Sequence, residues 1–106
     1  MSKKSLEISP ETEEILAKMG EQIKLARLRR RIPAEILAYK AGISRTTLWS
    51  VEKGSPSVAI GIYAAVLHVM DNMDQDFLNV AKDDEMGRRF QNKNLLLTRA
   101  PRARKI

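Results

Sequence analysis

The sequence predicts an all-α domain of five helices followed by a basic C-terminal tail. Apolar residues recur at intervals of three and four in successive segments, which is the period of one face of a helix. Residues that favour helix starts and helix stops separate these segments. No segment within the first 82 residues alternates apolar and polar side chains as a half-buried strand does. We therefore expect a helical domain over residues 1–82 and a tail over 83–106.

The first helix is predicted to begin at Ser9-Pro10. A serine side chain can accept a hydrogen bond from an unpaired amide of the first turn, and proline already has a helical φ at the first position. An apolar stripe then follows, and cations collect at the C-terminal end of the segment. Pro33 ends the run, because the residue before a proline avoids the helical region. The stripe consists of Ile15, Met19, Ile23 and Ala26.

Two short helices are predicted next. The second helix covers residues 34–41 and stops at Gly42, which can adopt a left-handed conformation. Ser44 caps the third helix, and Gly54 followed by a proline closes it.

The fourth and fifth helices differ in character. The fourth is predicted to start at Ser57 and is apolar on nearly all sides, which is typical of a central helix. Two sets compete for its buried side: Val58, Ile62, Ala65 and Val69, or Ile60, Tyr63, Ala64 and Leu67. The fifth helix is predicted over residues 73–81.

Composition excludes several classes of function. The 106 residues carry a net charge of +6, one histidine and no cysteine. Disulfide frameworks, thiolate metal sites, cysteine nucleophiles and multi-histidine metal sites are therefore excluded, and we expect no metal and no cofactor. No Ser/His/Asp set or phosphate loop indicates an enzyme. The longest apolar stretch, residues 58–70, is too short to span a bilayer and no secretory signal is visible, so we expect a cytoplasmic protein that does not bind membranes.

Residues 34–53 have the pattern of a helix-turn-helix unit. Two helices that cross steeply need a small residue where they touch, and Ala38 supplies it. The turn needs a residue that tolerates positive φ, which Gly42 provides. Apolar anchors hold the pair together, namely Leu37, Ile43, Leu48 and Val51.

The segments Gly20-Glu21-Gln22-Ile23, Ala41-Gly42-Ile43-Ser44-Arg45-Thr46-Thr47-Leu48 and Val51-Glu52-Lys53-Gly54 carry a family likeness. Over about residues 19–81 the chain resembles the phage-repressor/Cro type of helix-turn-helix regulator, the XRE family. The resemblance implies a lambda-repressor-like fold in which the second and third helices read double-stranded DNA. It also implies a sequence-specific transcriptional regulator, a homodimeric (auto)repressor on a palindromic operator. A buried ion pair between Arg27 and Glu52 is implied as well.

Side chains at the N-terminal end of the third helix project toward base edges in such a unit. Arg45 can donate two hydrogen bonds to guanine or contact a phosphate instead, and Ser44 can serve simply as the N-cap. Trp49 can contact a sugar or a thymine methyl, or pack at the rim beside the second helix. The candidate base-contacting residues are Ser44, Arg45, Thr46, Trp49 and Ser50.

A second set of residues is predicted to contact DNA phosphates. Residues 18–53 contain nine cationic and three acidic side chains, which favours an electrostatic footprint over a merely solvated face. The candidate phosphate contacts are Arg29, Arg30, Arg31, Thr47 and Lys53.

The tail contains seven basic residues and no acidic residue from Met86 onward. Such tails are typically disordered arms that bind nucleic acid or a partner. An apolar triplet in the tail is costly in water unless it docks, so it indicates a partner groove or a second subunit, with disorder as the alternative. The candidate contacts of the tail are Leu95, Leu96, Leu97, Arg99, Arg102 and Arg104.

A narrower likeness supports an alternative function. The strings Tyr63 to Leu67, Met73-Asp74 and Asp83 to Arg89 are similar to those of small antitoxins of the HipB type. That resemblance implies a protein that binds and neutralises a HipA-like kinase toxin through protein contacts. DNA binding would then serve autoregulation.

Overall fold

The computed structural model describes residues 7–97, with side chains described through residue 94. Every regular element in this part of the chain is helical and none is a strand, so the prediction of an all-α protein is confirmed. No helix among the described residues has the length and hydropathy that a membrane span requires. The elements are α1 (Pro10–Arg29), α2 (Ala34–Ala41), α3 (Arg45–Lys53), α4 (Ile60–Val69), a 3-10 segment (Met73–Asn79) and α5 (Glu85–Leu97).

Helix α1 begins where the sequence predicts. The Ser9 hydroxyl accepts a hydrogen bond from the Thr12 amide at 3.1 Å, and Pro10 occupies the first helical position. The helix ends at Arg29, two residues before Arg31 adopts a left-handed φ of 56°. Ile15, which we placed on the buried stripe, is instead 66% exposed.

The boundaries of α2 and α3 follow the predicted stop and start signals. Gly42 has φ of 76° at the end of α2, and Gly54 has φ of 74° at the end of α3. Between them the Ser44 hydroxyl accepts a hydrogen bond from the Thr47 amide at 3.0 Å and caps α3. A left-handed backbone favours glycine because other residues carry a Cβ that clashes there.

The predicted start of α4 at Ser57 is wrong. The helix begins at Ile60, with Ala59 at the N-cap. The Ser57 amide donates instead to the Ser55 hydroxyl at 3.2 Å, which forms a local serine turn. Serine side chains support both turns and helix caps, so the residue type alone does not decide between them.

The segment predicted as an α-helix over residues 73–81 is a 3-10 helix over Met73–Asn79. Left-handed residues bound it on both sides, with φ of 59° at Asn72 and 60° at Ala81. Its amides bond to carbonyls three residues back, as Gln75 does to Asn72 at 3.1 Å. Short segments confined between two sharp turns commonly take this tighter form.

Helix α5 lies within the region that the sequence assigned to a disordered arm. The acidic run before it starts the helix: an Asp84 carboxylate oxygen accepts from the Gly87 amide at 3.0 Å. Glu85 also pairs with Arg89 one turn later at 3.3 Å. Acidic residues at a helix N-terminus satisfy free amides and interact favourably with the helix dipole.

The core lies where α2, α3 and α4 meet beneath α1. Its most fully buried side chains are Leu37, Leu48, Met70, Val51 and Val66. On α4 the buried residues are Tyr63, Val66 and Leu67. Tyr63 and Leu67 belong to the second of the two competing sets, but Ile60 of that set is 71% exposed, and Val66 belongs to neither set. Helix α1 packs mainly on α3, and α4 packs on α2 and on the 3-10 segment.

Candidate nucleic-acid interface

Helix α3 has one buried face and one exposed face. Leu48 and Val51 anchor it in the core, at 1% and 0% exposure. On the opposite side Arg45, Thr46 and Trp49 together line a shallow surface depression. The structure thus brings together three of the five residues that the sequence assigned to base contacts. They lie on a helix whose opposite face is buried in the core.

The N-terminal end of α3 is electrostatically suited to an anion. Its first turn contains no acidic residue and carries Arg45. The backbone amides at a helix N-terminus also carry a partial positive charge. Both features favour a negatively charged ligand at this end of the helix.

Ser44 and Thr47 are hydrogen-bonded to each other. The Ser44 hydroxyl donates to the Thr47 hydroxyl at 3.0 Å, in addition to accepting from the Thr47 amide. The N-cap interpretation of Ser44 is therefore confirmed. A DNA contact by either hydroxyl would use its remaining hydrogen-bonding capacity, since a hydroxyl has one donor and two acceptor sites.

Trp49 is 62% exposed and lies next to Lys53 on the same helix. The Lys53 Nζ is 5.1 Å from the centroid of the Trp49 ring, which is a cation–π distance. This contact joins a predicted base contact to a predicted phosphate contact one turn further along α3. Ser50 is half-buried and is not part of the lining of the depression.

Arg27 and Glu52 form the ion pair that the resemblance implies. Arg27 Nε lies 2.7 Å from Glu52 Oε2, and a second bond of 3.1 Å joins Arg27 Nη2 to Glu52 Oε1. Arg27 also donates to the Ile32 carbonyl at 3.0 Å. The two side chains are only 10% exposed. The pair fixes the end of α3 to α1 and to the turn that leads into α2.

The three consecutive arginines have three different environments. Arg29 lines an apolar groove beside α1, and apolar surroundings of this kind are unlike those of a phosphate-binding site. Arg30 donates to Asp71 Oδ2 at 2.8 Å and also to the Ala26 carbonyl at 3.0 Å. Arg31 is exposed in the turn between α1 and α2. Sequence proximity therefore does not make them equivalent candidates for phosphate contact.

The tail candidates can be followed only in part. Leu95, Leu96 and Leu97 belong to the backbone of α5, but their side chains lie outside the described residues. Arg99, Arg102 and Arg104 lie outside the described residues altogether.

Two contacts of this region had no signal in the sequence. Asp71 meets Arg30 across 41 positions of the chain. The Tyr63 hydroxyl donates to the Ser55 carbonyl at 2.7 Å and ties α4 to the loop that follows α3. Burial raises the pKa of Tyr63 above its ordinary value. Both contacts depend on how the helices pack, which no local pattern encodes.

Comparison with protein-family models, with curated proteins and with solved structures found no match to this chain.

Proposed function

We propose that this protein is a sequence-specific DNA-binding transcriptional regulator, a homodimeric (auto)repressor that binds a palindromic operator. One observation carries the proposal. Arg45, Thr46 and Trp49 share the exposed face of a short helix whose opposite face is locked in the core. Exposed side chains on a rigid helix that follows a tight turn are what a recognition helix requires.

In this proposal the N-terminal half of α3 enters the major groove. Arg45 donates two hydrogen bonds to O6 and N7 of a guanine, a contact that discriminates against other bases by about 1–3 kcal/mol. Thr46 contacts a neighbouring base edge or a thymine methyl. Trp49 packs on the sugar or methyl surface at the edge of the contact.

Phosphate contacts supply most of the affinity and fix the register of α3 in the groove. Arg31 and Lys53 are both exposed; Arg31 lies before the helix-turn-helix unit in sequence, and Lys53 is its last residue. Thr47 can add a hydroxyl contact near the N-terminus of α3. Arg30 reaches a phosphate only by giving up Asp71.

Selection from a random duplex-DNA library with the purified protein at about 0.15 M salt tests the proposal. We expect enrichment of an inverted repeat whose half-site centres are about 10 base pairs, or a multiple of that, apart. Failure to enrich any sequence with a protein that unfolds cooperatively would overturn it.

A matched pair of variants locates the reading surface. Arg45→Ala removes an exposed cation from α3, and Arg89→Ala removes one from α5, which is paired with Glu85. The first variant should select a degenerate base at one position of each half-site. The second should select the same sequence as the unaltered protein.

A further inference from the structure

An apolar groove runs between α1 and the 3-10 segment. Two adjoining cavities of about 530 and 310 Å³ form it, and they share the side chains of Met19, Phe77 and Val80. Leu16 and Ile60 extend the lining at one end. The groove lies outside the candidate DNA interface, since no α3 residue lines it.

The rim of this groove exposes large apolar side chains. Ile60 is 71% exposed and Val80 is 73% exposed. Single exposed apolar residues are ordinary, but a contiguous set beside a groove marks an interaction surface.

Helix α5 presents a second apolar surface in the same chain. Met86 and Phe90 are four residues apart and therefore share one face of the helix. They are 59% and 60% exposed. None of the α5 side chains that the structure describes, residues 85–94, lines the groove of its own chain.

We infer that α5 of a second copy of this chain occupies the groove, and that the exchange is reciprocal in a two-fold dimer. Val80 lines the groove and α5 begins at Glu85, so only residues 81–84 separate the two surfaces. A two-fold axis beside this connection lets each α5 reach the other copy's groove. Both apolar surfaces of both chains are then buried by one symmetric contact.

Charge complementarity favours this occupant. Every charged residue in the described part of α5 after Glu85 is basic, whereas the 3-10 segment that walls the groove carries two acids and no cation, and its Asp76 lines the groove. Opposite charges around an apolar contact select the partner and its orientation. Of the α5 cations, Arg89 and Lys93 lie on or beside the face that carries Met86 and Phe90, and Arg88 lies opposite it. The acids of the 3-10 segment are Asp74 and Asp76, while the four acids of α1 are balanced by four cations of the same helix.

The α5 exchange specifies where the two copies of the proposed homodimer meet, and the contacts behind it do not involve DNA. Self-association is measured on the free protein, so the α5 exchange is tested separately from sequence-specific DNA binding. A monomer that still selects a DNA sequence would overturn the α5 exchange and the homodimeric state, and would leave the DNA-reading role of α3 intact. A stable dimer without operator selection would overturn the proposed function alone.

Disulfide trapping tests the exchange directly, because the natural chain contains no cysteine. Full-length Val80→Cys and Phe90→Cys variants are mixed and oxidised, and we expect a mixed disulfide between the two chains. The control replaces Phe90→Cys by Arg88→Cys, since residue 88 lies on the opposite side of α5 from Met86 and Phe90. The control mixture should give little mixed disulfide under the same conditions.

The double variant Val80→Cys/Phe90→Cys distinguishes exchange from fold-back. Exchange gives a covalent dimer on a non-reducing gel, whereas fold-back within one chain gives a cross-linked monomer. The second result, or the absence of any cross-link in both experiments, would overturn the inference.

Sedimentation equilibrium supplies an independent measurement. Phe90→Asp should raise the dimer dissociation constant by roughly 100-fold, since each dimer loses two buried phenyl rings. Leu78→Asp is the matched control, because Leu78 is 75% exposed and does not line the groove. An unaltered protein that is monomeric, or a Phe90→Asp variant that dimerises as before, would contradict the exchange. A monomer that binds another protein through the same groove would contradict it too.

Discussion

Arg30 and Asp71 are joined by two hydrogen bonds, of 2.8 and 3.1 Å, from the guanidinium to a single carboxylate oxygen. The bonds connect the end of α1 to the turn after α4. Arg30 is therefore already paired in the free protein, although its position in a basic run suggests a phosphate contact. The acid is 76% exposed, so water and salt weaken the pair.

Replacing Asp71 by Asn should strengthen DNA binding at low salt. The change removes a competing anion and frees Arg30 for a phosphate. The slope of log K against log salt concentration should steepen by up to ~0.9 if one phosphate contact is gained. Asp83→Asn is the control, because it makes the same charge change at an exposed acid that pairs with Arg88. Equal effects of the two variants would show that only net charge matters.

Arg45→Ala and Arg31→Ala should affect DNA binding in different ways. Loss of Arg45 should reduce discrimination at one base pair of each half-site by about 1–3 kcal/mol. Loss of Arg31 should weaken binding to all sequences alike and flatten the salt slope by ~0.9. Binding to a set of single-base operator variants at several salt concentrations measures both effects. A uniform loss from both variants would refute the separate roles.

Glu52→Ala should lower the free energy of unfolding by about 3–5 kcal/mol, because it strands the buried guanidinium of Arg27. Replacing both partners, in Arg27→Met/Glu52→Leu, should cost less than the single change, since no uncompensated charge remains. Urea denaturation of the three proteins provides the comparison. A double variant as unstable as the single one would mean that the bond from Arg27 to the Ile32 carbonyl dominates.

Two glycines with nearly the same backbone conformation should differ in their tolerance of alanine. Gly42 has open space where a Cβ would lie, so Gly42→Ala should cost only the left-handed backbone term, about 1 kcal/mol. A Cβ at Gly54 would collide with the Leu16 carbonyl of α1. Gly54→Ala should therefore cost about 3 kcal/mol. Denaturant midpoints, compared at an unchanged m-value, measure the loss of stability in the two variants. Equal losses would contradict the close approach of α1 and α3.

Tyr63 should make the fold less stable at alkaline pH. Burial raises the pKa of Tyr63, so the folded protein holds the phenolic proton more tightly than the unfolded chain does. The protonated Tyr63 side chain contributes fully to the free energy of unfolding below the unfolded pKa of about 10. That contribution is lost as the pH rises through the pKa of the folded state. Tyr63→Phe should therefore show a smaller loss of stability between neutral pH and pH values above about 10.

Tyr39→Phe is the control for this prediction, because Tyr39 is 82% exposed. Its alkaline profile should match that of the unaltered protein. At neutral pH Tyr63→Phe should cost about 1 kcal/mol, since the bond to the Ser55 carbonyl is lost. If the stability of Tyr63→Phe and of Tyr39→Phe fell equally at alkaline pH, Tyr63 would not be the cause of the loss.

Local signals predicted the bounds of α2 and α3 accurately. Gly42, Ser44 and Gly54 adopt the conformations that their positions suggested, since each is governed by its own backbone and nearest hydrogen bonds. The same reasoning failed at Ser57, where a serine turn competes with a cap. It also failed for residues 73–79, which form a 3-10 helix between the left-handed residues Asn72 and Ala81.

The sequence by itself determined the helical class, most helix ends and the side of α3 that faces outward, because caps, turns and periodicity act over a few residues. Tertiary structure alone decided which cations remain free. Arg30 pairs with Asp71, and Arg29 lines an apolar groove that Asp76 also lines. The packing of the helices within one chain also leaves the groove and the apolar face of α5 exposed. Such outcomes depend on which distant surfaces meet, and residues far apart in sequence come together only when the helices pack.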